Sequence, residues 1–308
     1  MLLLLDNTFT APDYNLAAEE YLLTQFREPI FRLWRNGPSI IVGRHQNTWA
    51  EVNIDYVREH QIPVIRRLSG GGAVFHDLGN INYSFMESVQ TEEDTSGTFQ
   101  RCTQPILEAL RAFGVEAYLS GRNDLLIDGK KFSGTAQCRV QGRVLLHGTL
   151  LYASQLSNLG QALQGPRSKF SKKAVASQPS PVCNVSQHLV QPPAVEAFMQ
   201  QLFDYFRMHN EGLEIYEYSE ADLQNIRNLR DQKYGTEAWN WGENPQYLHQ
   251  EEIATPAGKL QLHYDTNPEG RICRAVIYAD HIGNLDAEAL AQKLLEILPS
   301  EIAAQYTF

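Results

Sequence analysis

The chain has 308 residues, of which 43% are hydrophobic, and its 36 acidic against 26 basic side chains give a formal net charge of -10. That length suits one large domain or two ordinary ones, and the acidity argues against nucleic acid as the main partner. No apolar run reaches membrane-spanning length, and the four cysteines are too scattered for a disulfide framework or a C-x-x-C metal site. We therefore expect a cytoplasmic protein without a membrane or nucleic-acid partner.

The amino-terminal part predicts alternating strands and helices. MLLLLD predicts a first strand, and DYNLAAEEYLLTQF predicts a helix capped by Asp13, with an apolar stripe beside Glu19 and Glu20. Strands FRLWRN and SIIVGR follow, and then a helix that begins near Asn53. The next strand, IPVIRRL, runs directly into the glycine-rich stretch RRLSGGGAVFHD at 66–77.

The middle of the chain predicts an antiparallel meander. AVFH and NINYSFM continue the strand pattern, and a helix is predicted to end at Gly114. Strands NDLLI, KKFSGTAQCRV and RVLLHGTLLYA are separated by Asp-Gly and Gln-Gly pairs at 128–129 and 141–142, which predict tight turns. Residues 165–193 lack periodicity and predict a long loop, and loops of that length are usually functional or mobile.

The carboxy-terminal part predicts a domain boundary. Two helices, VEAFMQQLFDYFRMH and one capped by Ser219, complete a first domain at residues 1–242. Beyond WNWGENP, three strands with turns at Gly258 and Gly270 and a final helix predict a small αβ domain at 243–308. We interpret WNWGENP as the boundary between these domains.

Three consecutive glycines, Gly70 to Gly72, have two interpretations. A β-bulge or a sharp corner needs glycine for its backbone freedom. An anion-binding nest needs glycine so that several N–H groups converge on a phosphate. Arg66 and Arg67 would then add phosphate contacts, whereas in the first case they are solvated charges at a strand end. The spacing matches neither the common NTPase loop nor the dinucleotide-binding motif.

A second cluster surrounds Lys131 in GRNDLLIDGKKFSGTAQ. A lysine after a turn is usually solvated, and Lys130 fits that description. Regular alternation places Lys131 on the face opposite Phe132 and Gly134, so Lys131 need not face water. The next strand carries His147 in LLHGTLLY, where a histidine is either a core residue or a catalyst.

Taken together, these motifs resemble the lipoate-protein ligases of the two-domain bacterial type. The resemblance rests on NLAAEEYLL, IIVGRHQNTWAEVN, RRLSGGGAVFHDLGN, GRNDLLIDGKKFSGTAQ, LLHGTLLY and AWNWG, which are spread over nearly the whole chain. It implies an α+β fold, with a mixed β-sheet core packed with helices as in biotin ligases and class II synthetases. A small C-terminal αβ accessory domain would complete the chain, and the resemblance implies that WNWGENP is the hinge region before it.

The resemblance also implies a reaction. An ATP-dependent acid-amine ligase would convert lipoate and ATP into lipoyl-adenylate and pyrophosphate, with Mg²⁺ as the metal. It would then transfer the lipoyl group to a specific lysine of an apo lipoyl domain. Such domains occur in 2-oxoacid dehydrogenase acyltransferase subunits and in the glycine cleavage H protein.

Site residues follow from the same resemblance. Lys131 is implied as the catalytic residue, because a fixed ammonium neutralises oxygens that gain charge. ATP and the adenylate are implied to contact Lys131, Arg67 and the backbone of Gly72, Ala73, Val74 and Phe75. Lipoate is implied to contact Lys131, His76, His147, Leu16 and Trp34, with Phe75 as a further wall. Asp124 and Asn123 are the implied ligands of Mg²⁺.

Two alternative functions stay open. An octanoyl or lipoyl acyltransferase of the same fold would use a cysteine thioester, but regular alternation puts Cys138 on the face opposite Lys131. A non-catalytic lipoate-binding paralogue would fit SQPSPVCNV, where Pro179 and Pro181 replace arginines that many relatives have. The retained Lys131 argues against such a paralogue. The accessory domain is also shorter than in many relatives.

Overall fold

The computed structural model describes residues 1–6, 8–46, 48–89, 95–120, 124–156, 163, 181–242, 249–255, 258–266, 271–279 and 294–295. The chain folds as two compact units. The first comprises Met1–Glu93 and Thr98–Asn244, and the second comprises Asp94–Gly97 and Pro245–Phe308.

Two sheets form the framework of the first unit. Their strands are β1 (Leu2–Asp6), β2 (Ile30–Trp34), β3 (Ser39–Val42), β4 (Val64–Arg66), β5 (Val74–His76), β6 (Asn80–Ser88), β7 (Tyr118–Ser120), β8 (Asp124–Ile127), β9 (Lys130–Val140), β10 (Arg143–Leu151) and β11 (Glu214–Ile215). The large sheet has the order β11-β1-β2-β6-β10-β9-β8-β7 and is mixed, because β11, β1 and β2 run parallel and the remaining pairs are antiparallel. The small sheet has the order β4-β3-β5.

Helices cover both faces of the large sheet. They are α1 (Pro12–Gln25), α2 (Thr48–Glu51), α3 (Ile54–Glu59), α4 (Thr95–Ala112), α5 (Val195–His209) and α6 (Glu220–Leu229). Single turns of 3-10 and π-helix lie at Val185–His188, Arg230–Tyr234 and Ala238–Gly242. The N-cap of α1 is Ala11 and not Asp13 as predicted, because Pro12 occupies the first helical turn, a position that suits proline.

The cores on the two faces differ. On one face, α4 and α5 contribute side chains such as Phe99, Leu110 and Phe206 to the main core. On the other face, α1 packs leucines against β1 and β10. Each fully buried leucine or phenylalanine stabilises the fold by about 1.5–3 kcal/mol relative to an exposed one. Glu19 of α1 is only 2% exposed, so it does not lie on a solvated flank of that helix.

Both predicted hairpin turns, at 128–129 and 141–142, have the backbone conformation that their residues favour. Asp128 and Gly129 have φ of +50° and +74°, and Gln141 and Gly142 have φ of +50° and +75°. Two successive left-handed residues are typical of a type I′ turn, whose twist matches that of the flanking strands. These turns fix the meander of β8, β9 and β10.

Strand β9 contains a β-bulge that the sequence did not indicate. Leu125 pairs with Ser133, whereas the next residue, Leu126, pairs with Lys131, so Phe132 is an extra residue in β9. Phe132 and Ser133 both lie buried. The predicted regular alternation is therefore wrong at this point of the strand.

The bulge changes which side chains share a face. Lys131 and Gly134 lie on one face, since a Cβ built on Gly134 would be 3.0 Å from Lys131 Nζ. The register of β9 with β10 pairs Ala136 with His147, which places His147 on that face too. Cys138 follows on the same face, so its predicted position opposite Lys131 is also wrong.

The second unit contains three antiparallel strands. They are β12 (His249–Thr255), β13 (Gly258–Thr266) and β14 (Ile272–Ala279), in that order. The turn predicted at Gly270 and most of the final predicted helix lie outside the described residues. Across the described part of both units, no helix combines the length and the hydropathy that a bilayer crossing requires.

Candidate active site

Residues 67–73 connect β4 to β5 and form what we call the glycine loop. Gly71 has φ of +86°, a conformation that favours glycine. The loop packs directly on Gly43 at the end of β3, where an added Cβ would lie 2.0 Å from the Gly71 carbonyl oxygen. The loop therefore requires glycine at position 71, for its conformation, and at position 43, for the space beneath it.

Arg67 lies under the glycine loop and holds its carbonyl groups. Its Nη2 donates to the carbonyls of Gly70 and Gly72 at 2.5 and 2.9 Å, and its Nη1 donates to Ile41 O at 3.1 Å. Its Nε donates to Ser69 Oγ at 3.0 Å. Burial lowers the pKa of Arg67 to about 10, so the side chain is still charged at neutral pH.

The backbone N–H groups of the loop differ from its carbonyls in how they are paired. Among the described residues, no group accepts a hydrogen bond from the backbone N–H of Gly70, Gly71, Gly72 or Ala73. Backbone N–H groups rarely stay unpaired in folded proteins, and several that converge form an anion site. The loop therefore offers backbone donors beside the positive charge of Arg67, and an anion would satisfy those donors.

A chain of hydrogen bonds continues from Arg67 into the sheet. Ser69 Oγ is 2.6 Å from His147 Nε2, and His147 Nδ1 is 3.0 Å from Glu19 Oε2. Because the Glu19 carboxylate can only accept, His147 Nδ1 carries a hydrogen and donates it to Glu19. The loop is therefore tied to α1 and β10 through side chains.

Glu19 is a buried anion at the end of this chain. Burial alone would raise its pKa, but the nearby His147 and the Ser84 hydroxyl, 2.5 Å away, outweigh burial and lower the pKa. Ser84 in turn accepts from Trp34 Nε1 at 2.8 Å. The sequence signal for this role is an acidic residue beside Ala17 and Ala18, whose small side chains let the helix approach the sheet.

His76 presents a buried donor next to the loop. Asn36 Nδ2 donates to His76 Nδ1 at 3.1 Å, so the hydrogen of the neutral ring is on Nε2. Nε2 is buried and has no partner among the described residues. The Trp34 ring lies 6.4 Å away, centroid to centroid. A ligand that supplies an acceptor would satisfy this N–H group.

The His76 ring is expected to remain neutral from pH 8 to pH 5. Burial, followed by the charges of Arg67 and His147, lowers its pKa to about 3. The unfolded chain takes up this proton near pH 6.5, whereas the folded chain does not, so His76 makes folding less favourable as the pH falls below about 6.5. NMR of the ring Cε1–Hε1 signal, assigned with a His76→Gln variant, measures this directly. A midpoint near 6.5 would contradict the burial argument.

Lys131 lies in β9, on the sheet face that also carries His147. Its Nζ is 2.7 Å from Asp124 Oδ1, and the two side chains are 29% and 33% exposed. Its backbone N–H donates to Pro181 O at 2.8 Å, and its carbonyl accepts from Cys183 N at 3.0 Å. The β8 strand on one side and residues 181–183 on the other therefore fix the position of Lys131. Pro179 and Asn123 lie outside the described residues.

The predicted apolar walls belong to two different clusters. Leu16, Trp34 and Val74 pack in the same buried cluster. Phe75 packs in another cluster, with Ile40 among its members. Its side chain therefore does not join the other walls, and only its backbone remains a candidate for ligand contact.

The structure connects several of the predicted residues. Arg67 hydrogen-bonds the carbonyls of the glycine loop, His147 contacts Ser69 of that loop, and Lys131 shares a sheet face with His147. His76 lies in β5, which follows the loop. Glu19, Ser69, Ser84 and Asn36 connect them, and the sequence did not single these residues out.

Comparison with known proteins identifies the family. Residues 11–207 match the model of the lipoyl protein ligase A/B catalytic domain. Lipoate–protein ligase 1 of Staphylococcus aureus is 39% identical over 297 residues, which cover 95% of this chain and 89% of the relative. This chain therefore belongs to the lipoate-protein ligase family.

Solved structures agree with this membership. A bi-partite lipoate protein ligase of Thermoplasma acidophilum, described with its E2 lipoyl domain, has a TM-score of 0.67 at 30% identity and covers 80% of this chain and 98% of its own. A lipoate-protein ligase A bound with ATP has a TM-score of 0.65 at 28% identity, with 78% and 98% covered. The predicted mixed sheet packed with helices is confirmed.

Proposed function

We propose that this chain activates lipoate with ATP and transfers the lipoyl group to a lysine of a lipoyl domain. Family membership makes it an ATP-dependent lipoate-protein ligase. The observation that carries the assignment to particular residues is the glycine loop: the backbone N–H groups of residues 70–73 have no acceptor among the described residues, while Arg67 holds the carbonyls of Gly70 and Gly72. Such a loop suits a nucleotide phosphate.

The loop binds the nucleotide through its backbone in this proposal. The N–H groups up to Gly72 and Ala73 contact phosphate oxygens, and the backbone of Val74 and Phe75 contacts the adenosine part. Arg67 has four donor contacts within the protein, so it acts mainly by holding the loop and by its charge. This differs from the direct bidentate contact that the sequence suggested.

Lys131 supports the chemistry of both steps. A carboxylate oxygen of lipoate attacks the α-phosphorus of ATP, the bond to the β-phosphate oxygen breaks, and pyrophosphate leaves. The acceptor lysine amine then attacks the acyl carbonyl, AMP leaves and the amine loses a proton. The Lys131 ammonium is positioned to neutralise the carboxylate and the phosphate oxygens. Ligand binding then draws Nζ away from Asp124.

Asp124 is the described residue that suits Mg²⁺. Its carboxylate is a hard oxygen ligand, of the type that this ion prefers beside phosphates. Among the described residues no group of three or more His, Cys, Asp or Glu side chains is placed to hold a metal. The donor set therefore fits an ion that phosphate oxygens and water complete. When bound, Mg²⁺ would reduce the charge repulsion between the phosphates and Asp124.

The lipoyl chain is assigned to the region of Leu16, Trp34, His76 and His147. Leu16 and Trp34 are 2% exposed and offer apolar contact, while His76 Nε2 offers a hydrogen-bond donor. Mostly apolar pockets with few polar groups are typical of small-molecule sites.

We further propose the acyltransferase subunits of 2-oxoacid dehydrogenases and the glycine cleavage H protein as acceptors, with the reaction in the cytoplasm. The Thermoplasma relative was described together with an E2 lipoyl domain, which supports the first class. All four cysteines are free thiols, which suits a reducing compartment.

Pyrophosphate release with lipoate, octanoate or biotin tests the first step. We expect release with lipoate, none with biotin, and ATP-dependent labelling of an apo lipoyl domain by intact-mass measurement. Binding of lipoate without any release would indicate the non-catalytic paralogue instead.

Cys138→Ala is expected to retain ligation within twofold of the wild type. Cys138 shares a face with Lys131 but packs among apolar side chains such as Leu145, and burial followed by the charges of Glu19 and Glu20 raises its pKa to about 12. A thiol with so high a pKa is a poor nucleophile. Intact-mass analysis after incubation with acyl donor checks for a thioester. A trapped thioester, lost in Cys138→Ala together with ATP-independent transfer, would favour the acyltransferase.

A further inference from the structure

Arg66 ends β4 directly before the glycine loop and is completely buried. Both predicted roles for it, phosphate contact and solvated charge, are therefore wrong. Its Nη1 donates to three backbone carbonyls and its Nη2 donates to the Thr48 hydroxyl at 2.7 Å. Its Nε donates to Trp239 O at 3.0 Å. The side chain thus binds the segment after β3 and the segment Ala238–Gly242.

The segment Ala238–Gly242, which we call the AWNWG segment, also binds the backbone of Arg66. Trp239 Nε1 donates to Arg66 O at 2.8 Å, and Asn240 Oδ1 accepts from Arg66 N at 2.9 Å. Because β4 is an edge strand of the small sheet, these side chains satisfy backbone groups that a neighbouring strand would otherwise pair.

The two AWNWG residues are themselves held firmly. Asn240 Nδ2 donates to Tyr234 O at 2.7 Å, and its carbonyl accepts from Thr48 Oγ1 at 2.8 Å. Two cations lie over the Trp239 ring, with the Arg44 guanidinium at 4.4 Å and the Lys233 ammonium at 4.1 Å from its centroid. Such cation–π contacts strengthen as water is excluded.

These contacts reach the glycine loop from two directions. The backbone N–H of Arg44 donates to Ser69 O at 2.8 Å, which fixes the front of the loop. Arg66 is the chain neighbour of Arg67, whose guanidinium holds the loop carbonyls. A shift of Trp239 would therefore move the loop at both positions.

We propose that Trp239 and Asn240 are positioning residues for nucleotide binding, acting through Arg66 and Arg44 on the glycine loop. The inference rests on the proposed role of that loop. It also revises the predicted hinge, since Trp239 and Asn240 are 9% and 5% exposed and are bound to the body of the first unit. Residues 243–245 of the predicted hinge lie outside the described residues.

A Trp239→Phe variant tests whether Trp239 positions the glycine loop for ATP or only stabilises the fold. Phenylalanine keeps an aromatic ring near Arg44 and Lys233 but loses the Nε1 donor to Arg66 O. Tyr152→Phe is the matched control, because it removes one donor to the backbone carbonyl of Pro193, 2.6 Å away, in a different core. Pyrophosphate release gives KM for ATP and for lipoate separately, and thermal unfolding gives Tm.

We expect Trp239→Phe to raise KM for ATP about fivefold, as for one lost hydrogen bond, with KM for lipoate within twofold. Tyr152→Phe should lower Tm comparably and leave both KM values within twofold. Asn240→Ala, which removes both the acceptor for Arg66 N and the donor to Tyr234 O, should also raise KM for ATP. A Tm loss in Trp239→Phe with an unchanged KM for ATP would overturn the inference. Absence of pyrophosphate release by the wild type would instead overturn the proposed function.

Discussion

Lys131→Ala is expected to slow lipoate-dependent pyrophosphate release about 100- to 1,000-fold. Removing one preorganised donor to a developing charge typically has an effect of that size. The ammonium is well fixed, because backbone bonds to Pro181 and Cys183 hold Lys131 and its Nζ lies 2.7 Å from Asp124. Lys131→Arg should be faster than Lys131→Ala, because arginine keeps the positive charge. It should be slower than the wild type, because a planar guanidinium does not place that charge as a compact ammonium does.

Lys130→Ala is the matched control for this substitution. Lys130 is the preceding residue of β9 and is exposed, so its loss should change the rate less than twofold. If Lys131→Ala released pyrophosphate at the rate of Lys130→Ala, the role of Lys131 in adenylation would be excluded. Unfolding curves for both variants show whether β9 remains intact.

Gly43→Ala is expected to weaken nucleotide binding strongly while the rest of the fold survives. The new Cβ would lie 2.0 Å from the Gly71 carbonyl oxygen and 3.3 Å from the Gly70 carbonyl carbon. The obstructing atoms are backbone, so the glycine loop must move. Its N–H groups would then no longer point toward one anion. We expect KM for ATP to rise at least about 100-fold, measured by pyrophosphate release and checked by calorimetric titration with ATP.

Gly37→Ala controls for the general effect of adding a methyl group beside β3. Its new Cβ would meet only Thr10 O, at an ordinary contact distance of 3.7 Å. That variant should bind ATP as the wild type does. Normal ATP binding by Gly43→Ala would contradict the importance of the loop geometry.

Local sequence signals predicted most of the first unit. The meander of β8 to β10 followed from alternating patterns and from two turn pairs, Asp128-Gly129 and Gln141-Gly142, whose left-handed φ values the structure contains. These features depend on neighbouring residues only. The glycine loop was also recognised, although the sequence could not decide between a corner and an anion site. The unpaired N–H groups next to carbonyls held by Arg67 favour the anion site.

The features that were missed depend on distant contacts. The bulge at Phe132 places that residue and Ser133 in the same core, where Ser133 Oγ lies 3.1 Å from Tyr83 Oη. Glu19 is buried because His147, 128 residues away, supplies its partner. Arg66 is buried because Trp239 and Asn240 return to it from the end of the first unit. Strand periodicity and helix periodicity contain no information on such pairs.

A crystal structure with a non-hydrolysable lipoyl-adenylate analogue tests the central claim most directly. We predict that the group replacing the α-phosphate lies within hydrogen-bond distance of both Lys131 Nζ and the N–H groups of Gly71 to Ala73. The lipoyl chain should extend toward Trp34 and His76. An analogue bound with its phosphate-equivalent group away from the glycine loop, or with Lys131 still paired to Asp124, would contradict the account.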